Sequence, residues 1–326
     1  MSNLEVDPVE VDCAAGPTER IEILAPRDVP LGGPRAMRVK RTLPQRQRSM
    51  VGAWCFVDHY GPEDVRTRPG MDVAPHPHTG LSTVSWLFSG EVEHRDSAGV
   101  HAMVRPGELN LMTAGAGICH SEVSTSATSV LHGVQLWLAL PAATRNGDRG
   151  FDHFAPEPTV VGAATLRVFL GSLAGASSPV PTATPLLGAQ IELPPDTSVQ
   201  LPIDPAFEHA VLLDRGALRL AETPVQPHEL AYQGPGRSTW ELTNTGTDPL
   251  RAILLGGEPF TEELLMWWNF VGRTHEEIAQ YREQWEAGSD RFGAVLGYQG
   301  ALERIPAPAL PTTRLKPRQQ PQRKGI

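Results

Sequence analysis

At 326 residues the chain is too long for one ordinary core and suits two domains, each large enough to bury a stable interior. Its 28 basic and 37 acidic residues give a formal charge of -9, which argues against the basic footprint of a nucleic-acid binder. Three cysteines, Cys13, Cys55 and Cys119, form no CxxC pair, so neither a disulfide framework nor a thiolate zinc site is expected, and a reducing cytoplasm is the natural compartment.

Residues 1–36 read as an N-terminal arm with the first strands. Glu5, Asp7, Glu10, Asp12 and Glu19 lie there without an apolar stretch, the reverse of a secretory signal. No segment approaches the ~20 apolar residues of a membrane-spanning helix, so no membrane association is expected. With 31 Gly and 31 Pro spread along the chain, short apolar runs between turn signals predict an all-β sandwich or barrel. Over residues 37–145 the runs include Gly52–Val57, Ser82–Phe88, Glu91–His94, Leu109–Met112 and Val130–Leu138, separated by turns such as Ser89-Gly90 and Ala114-Gly-Ala-Gly117. Thr144–Pro158 lacks this texture, and a linker is expected over residues 146–165.

A second series over residues 166–258 contains Leu166–Leu170, Ala189–Leu193, His209–Leu213, Ala217–Leu220 and Leu250–Leu255. Its Asp214-Arg-Gly216 turn parallels Phe88-Ser-Gly90, which suggests two copies of one architecture. Residues 259–305 read as two short helices packing on the barrels, one near Thr261 and one opened by the Thr274-His-Glu-Glu277 capping-box pattern before Ile278, Tyr281 and Trp285. Residues 306–326 read as a disordered basic, Pro-rich tail with no assigned function.

Two clusters carry the chemistry: His76-Pro-His78 and His120-Ser-Glu122. Side chains alternate along a strand, so both members of each pair point the same way. Three imidazoles and one carboxylate suit one divalent transition metal, Fe, Mn, Ni, Cu, Co or Zn, better than Ca or Mg. Between His78 and His120 there is room for about four strands, enough to bring the clusters together in one barrel. The second series offers His209 and His228 without a neighbouring partner, so a single metal is expected, in the first half.

Other groups have plainer readings. His59 reads as a structural histidine near a turn that could also line the pocket beside the ligands. His94 and His101 flank an Asp96–Gly99 hairpin and read as solvated. His132 reads as a satisfied interior histidine. Cys119 follows strand alternation away from the metal and reads as a small packed hydrophobe. Trp267-Trp268 reads as helix-to-barrel packing rather than a ligand platform.

The spacing Gly70-x5-His76-x-His78, ending at Gly90, resembles the first motif of the cupin superfamily. The run His76-Pro-His-Thr-Gly80 to Ser89-Gly-Glu-Val-Glu-His-Arg-Asp-Ser97 resembles the pirin family, and so do Arg105-Pro-Gly107 and Met112-Thr-Ala-Gly-Ala-Gly-Ile-Cys-His-Ser-Glu122. The likeness extends from about Val39 to Phe270. It implies a bicupin, two jelly-roll β-barrels in one chain, with one metal in the N-terminal barrel. It further implies Fe(II), or another divalent ion, on the positions matching His76, His78, His120 and Glu122. Bacterial members are described as quercetin 2,3-dioxygenases, and some eukaryotic members as nuclear, redox-responsive coregulators. Ser82 stands where many relatives have Glu, a change beside the ligands rather than among them.

The expected function is an Fe(II) dioxygenase acting on a flavonol-like phenol and O2. Four protein ligands leave two positions on a six-coordinate ion, and Glu122 is placed to accept the proton of the substrate's enol hydroxyl. The alternative is a redox-sensing metal protein acting through a protein partner, since iron oxidation changes the charge in a low-dielectric pocket by one unit.

Overall fold

The computed structural model describes residues 20–30, 37–67, 70–300 and 302–317. Two β-barrels follow one another, each made of a seven-stranded sheet facing a four-stranded one. In the first, the large sheet runs in the order Gly150–Phe154, Leu109–Thr113, Leu81–Ser89, Val130–Ala139, Trp54–Asp64, Arg38–Leu43 and Arg27–Pro30. Its small sheet runs Asp72–His78, Ile118–Ser124, Val92–Asp96 and His101–Val104. The second barrel repeats the plan, with Glu208–Arg215, Leu250–Gly257 and Leu186–Leu193 at the centre of its large sheet. All named strand pairs are antiparallel, and the fold is a bicupin.

The largest apolar cluster lies between the barrels, where the two large sheets meet. Trp54, Val84, Trp86 and Leu136 from the first pack with Phe169, Leu212, Ile253 and Leu255 from the second. Aromatics dominate such burial, provided their polar edges are satisfied. The Trp86 indole N–H donates to Gln190 Oε1 at 2.8 Å, and that of Trp54 to the Leu187 and Gly256 carbonyls, each at 3.1 Å. The closest approach uses glycine. Gly52 has φ +53°, and a Cβ there would stand 2.7 Å from the Gly257 Cα, so no larger residue fits without moving backbone.

Inside, the barrels differ. The second is filled by a continuous apolar core, including Leu166, Ile191, Val211, Leu213, Trp240 and Leu254. Part of the first barrel's interior is given over to His76, His78, His94, His120 and Glu122, all buried. The arm also crosses between them, because Glu22–Leu24 pairs with Leu230–Gln233 on the edge of the second barrel's large sheet.

Two expectations about the connections are corrected. The stretch read as a linker contains Gly150–Phe154, which pairs with Leu109–Thr113, and Thr159–Val161, which pairs with Ala164–Leu166. Edge strands need few apolar residues, which is why the texture there is weak. Only one α-helix occurs among the described residues, His275–Glu286, with the Thr274 hydroxyl capping the Glu277 N–H at 3.2 Å. The expected helix near Thr261 is instead a hairpin of Leu265–Trp267 and Phe270–Gly272.

The tail also departs from expectation over its described part. Ala307 is buried, and Leu310 and Leu315 pack with Tyr281 and Trp285 of the helix. Arg314 pairs with Glu276, and the Leu315 N–H donates to His275 Nδ1 at 3.1 Å. Residues 318–326 lie outside the described residues, as do 1–19 with Cys13. Cys55 and Cys119 are buried free thiols. Cys119 packs with the C-terminal segments, as strand alternation predicts. Among the described residues no helix is long and apolar enough to cross a membrane.

Candidate metal centre

The first cluster lies on Asp72–His78, an edge strand, which is where Pro75 and Pro77 are tolerated because each lacks a ladder N–H. It pairs with Ile118–Ser124, setting His120 opposite His76 and Ile118 opposite His78. The register shifts between His120 and Glu122, so Glu122 falls opposite Val73, the local kink of a β-bulge. Gly115, at φ +52°, makes the turn that feeds this strand, and a Cβ there would stand 2.2 Å from the Gly147 carbonyl oxygen.

The four predicted residues come to one place. The rings of His76, His78 and His120 form a triangle with centroids 4.3 to 5.0 Å apart. Ligand atoms of these three lie within 4.8 Å of one another, and so do those of His94, His120 and Glu122. His78 Nε2 and His120 Nε2 are 3.1 Å apart. His76 Nδ1 faces the Ala74 carbonyl at 2.9 Å and His78 Nδ1 the Asn269 carbonyl at 3.1 Å. A carbonyl only accepts, so both Nδ1 atoms carry the proton and both Nε2 atoms keep a lone pair. The single Ser85 hydroxyl proton is shared between Gln135 Oε1 at 2.9 Å and Glu122 at 3.3 Å.

Burial sets the protonation. It pushes His76 down to about 4, against the opposing Ala74 bond, and takes His78 and His120 well below the usual imidazole range. It raises Glu122, opposed by His94 and by the Ser85 hydrogen bond. Neutral imidazoles are the form that binds metal, so the donor set fits a transition-metal ion.

A cavity of ≈ 290 Å³ opens beside these groups, with Phe56, Trp137, Trp268 and Arg41 among its walls. Phe56 stacks on Trp137 at 4.0 Å, and Trp137 meets His78 edge-on at 5.1 Å. Arg41 lies over Phe56 at 4.2 Å and is held by Asp58 through bonds of 2.6 and 2.7 Å. Trp268, in the turn of the C-terminal hairpin, thus lines the cavity while also packing near the helix, so its packing role is only half of its position.

Three neighbouring residues differ in whole or in part from expectation. His59 is the expected hydrogen-bonded structural histidine, fully buried and bonding Asp214 of the second barrel at 2.7 Å, and it is not among the residues lining the cavity. Ser82 bonds Thr113 at 3.0 Å, and Ser85 is the serine that reaches Glu122. Ser82 shares strand parity with Val84 and Trp86, which face the second barrel, whereas Ser85 has the opposite parity. His94 is buried rather than solvated, because it lies opposite Glu122 in the sheet and so faces inward. His101 is exposed, as expected.

A second histidine group spans the barrels. His59 and His132 both bond Asp214 Oδ1, at 2.7 and 2.6 Å. Arg251 takes Asp214 Oδ2 at 2.7 Å and reaches His132 Nδ1 at 3.3 Å. Burial alone would raise the Asp214 carboxyl, but bonds from His132 and His59 and the Arg251 charge hold it well below the carboxylate range. With a guanidinium already on the carboxylate, this group is a buried ion-pair network and a poor place for a cation.

Residues 36–138 match the Pirin family and residues 188–293 match the Pirin C-terminal cupin domain. A Pseudomonas aeruginosa protein, provisionally named a quercetin 2,3-dioxygenase, is 41% identical over 92% of this chain and 94% of its own. The chain belongs to the pirin family. Human Pirin is 33% identical over 74% of the chain and 84% of its own length. A crystal structure titled quercetin 2,3-dioxygenase, from Acinetobacter baumannii, superposes with a TM-score of 0.85 at 36% identity, covering 92% of this chain and 99% of the other. Both barrels of this pirin share one plan, and the four-residue cluster of His76, His78, His120 and Glu122 lies in the first.

Proposed function

We propose that this pirin is a metal-dependent dioxygenase acting on a small flavonol-like phenol with O2. In this reading His76, His78, His120 and Glu122 hold one divalent transition metal, with Fe(II) as the working choice. The observation that carries it is the cluster of three neutral imidazoles, with Glu122 beside His120, all four lining one aromatic-walled cavity. The names of the Pseudomonas and Acinetobacter relatives support the same reaction class.

When bound, such an ion would supply a Lewis acid for substrate oxygens and an electron route to O2. The protein's part is positioning and proton transfer. Phe56, Trp137 and Trp268 offer flat apolar walls to a planar ring system. Arg41, fixed by Asp58, sets a cation at the cavity's edge, where it favours a deprotonated phenol. Glu122 takes the proton of the substrate hydroxyl, breaking that O–H bond as a new one forms on its carboxyl. In the metal-free site burial raises its proton affinity, opposed by His94 and the Ser85 bond. Ser85 steers the carboxylate while this happens.

The test is to load metal-free protein with Fe(II) and follow quercetin absorbance, O2 uptake and CO release together. Turnover above free iron, lost in Glu122→Gln, is the expected result. Turnover no faster than free iron rejects the proposal. Elemental analysis of protein purified without added metal decides the ion.

A further inference from the structure

His76 and His78 each have a backbone carbonyl to hold the Nδ1 proton, but His120 does not. Its Nδ1 faces His94 Nδ1 at 3.5 Å. An imidazole is an ambiguous partner, able to donate or accept according to its tautomer. The neighbouring atoms settle the His94 side of this contact. His94 Nε2 lies 3.1 Å from Asp96 Oδ2, and the other Asp96 oxygen accepts the Ala98 and Val100 N–H groups at 2.8 and 3.1 Å. A carboxylate already accepting two backbone protons also accepts from His94, so His94 carries its proton on Nε2. Its Nδ1 then offers a lone pair to His120 Nδ1, in competition with the His78 Nε2 lone pair that lies 3.1 Å from His120 Nε2; with an ion on His78 Nε2, His94 would be the acceptor left for the His120 proton.

We infer that Asp96 and His94 are positioning residues that lock His120 in the tautomer able to bind a metal through Nε2. This rests on the metal-centre reading above. All the parts of the chain Asp96–His94–His120 are buried, at 3%, 3% and 1% exposure, so water does not compete for these bonds. The His94 ring is pinned against Phe151, with centroids 5.0 Å apart. The hairpin holding Asp96 is tied to the ligand strand by the Ser97 N–H to the Cys119 carbonyl at 2.8 Å, and by the Cys119 N–H to the Ser97 hydroxyl at 3.0 Å. The register that sets Asp96 opposite His120 and His94 opposite Glu122 places the pair directly behind the ligand. Partners behind a metal-binding histidine fix its orientation and strengthen it as a donor.

The experiment measures Co(II) affinity by competition with a chelator, the Co(II) visible spectrum, and the His120 tautomer from ¹⁵N shifts, using full-length protein. Wild type is expected to bind with His120 protonated on Nδ1. His94→Phe, which fills the space without an acceptor, is expected to bind about 10–100-fold more weakly. His94→Gln, whose amide oxygen can accept, is expected to recover part of the loss. Should His94→Phe fail to fold, Asp96→Asn serves, and a smaller share of the Nδ1-protonated His120 tautomer than in wild type is expected. Wild-type affinity and tautomer in these variants, with binding lost in His120→Ala, overturns the positioning role and leaves the centre standing. Absence of Co(II) binding by wild type overturns both.

Discussion

His78 Nε2 and His120 Nε2 lie 3.1 Å apart on neighbouring strands, in a pocket where neither ring is more than 1% exposed. With the His78 proton held on Nδ1 by the Asn269 carbonyl, a lone pair on His78 faces this contact. In the metal-free protein His120 Nε2–H can donate to that lone pair, and a cation bound here would take the place of that hydrogen bond. His78→Ala and His120→Ala are each expected to weaken divalent-metal binding by more than about 100-fold, since changes behind a ligand alone cost 10–100-fold. Titration of metal-free protein with Co(II) checks this, and wild-type affinity in either variant contradicts the site.

Glu122 and Ser85 separate metal holding from proton transfer. Glu122→Gln is expected to keep part of the metal and to lose turnover by about 10²–10⁴, the range for a general base. Ser85→Ala removes the bonds to Glu122 and Gln135 but no ligand, so full metal content with a smaller loss of rate is expected. Metal content and quercetin turnover on the same preparations distinguish the two; equal rates in wild type and Glu122→Gln would remove the base.

Acid should destabilise the fold through His209. The ring is 2% exposed between Phe207 and Trp240, and burial pushes its pKa from 6.5 down to about 4. Below pH 6.5 the unfolded chain takes a proton that the folded one refuses until about pH 4, so stability falls as pH drops through that window. Between pH 7 and pH 5 this group should cost about 2 kcal/mol. Urea unfolding of wild type and His209→Gln at both values checks it: the variant should lose less by that amount, and parallel losses sink the assignment.

The inter-barrel network should be costly to break on one side. Arg251→Leu leaves the Asp214 carboxylate with two imidazole donors and no counter-charge. A loss of about 3–5 kcal/mol is expected. The double variant Arg251→Leu, Asp214→Leu should lose less than the two single changes summed, as measured in a double-mutant cycle. Additive losses would mean that the two residues are not coupled.

Strand alternation made much of the centre legible. His76, His78, His120 and Glu122 followed from two x-spaced pairs, and the same rule, applied to Val92-Glu-His-Arg-Asp96, separates inward His94 and Asp96 from outward Glu93 and Arg95, which pair with each other at 2.6 Å. Proximity to a turn hid that alternation. Likewise Ser85, not Ser82, has the parity of the metal pocket. The His59–Asp214 bond was beyond reach, because it joins residues 155 positions apart through the packing of two barrels. The Trp267–Phe270 hairpin was equally hidden, since an apolar run of that length fits a helix or a strand. Its turn places Trp268 at φ +52°, a conformation no periodicity announces.

The pairing of Glu22–Leu24 with Leu230–Gln233 has a consequence for synthesis on the ribosome. The partner strand begins 206 positions later (230 minus 24), a delay of roughly 10–40 s at ordinary translation speed. Throughout that interval the leading segment has no edge to join, while the strands of the earlier barrel, the last of them Gly150–Phe154, are being completed. A chain stripped of its start would in turn leave Leu230–Gln233 as a bare edge open to pairing with other molecules.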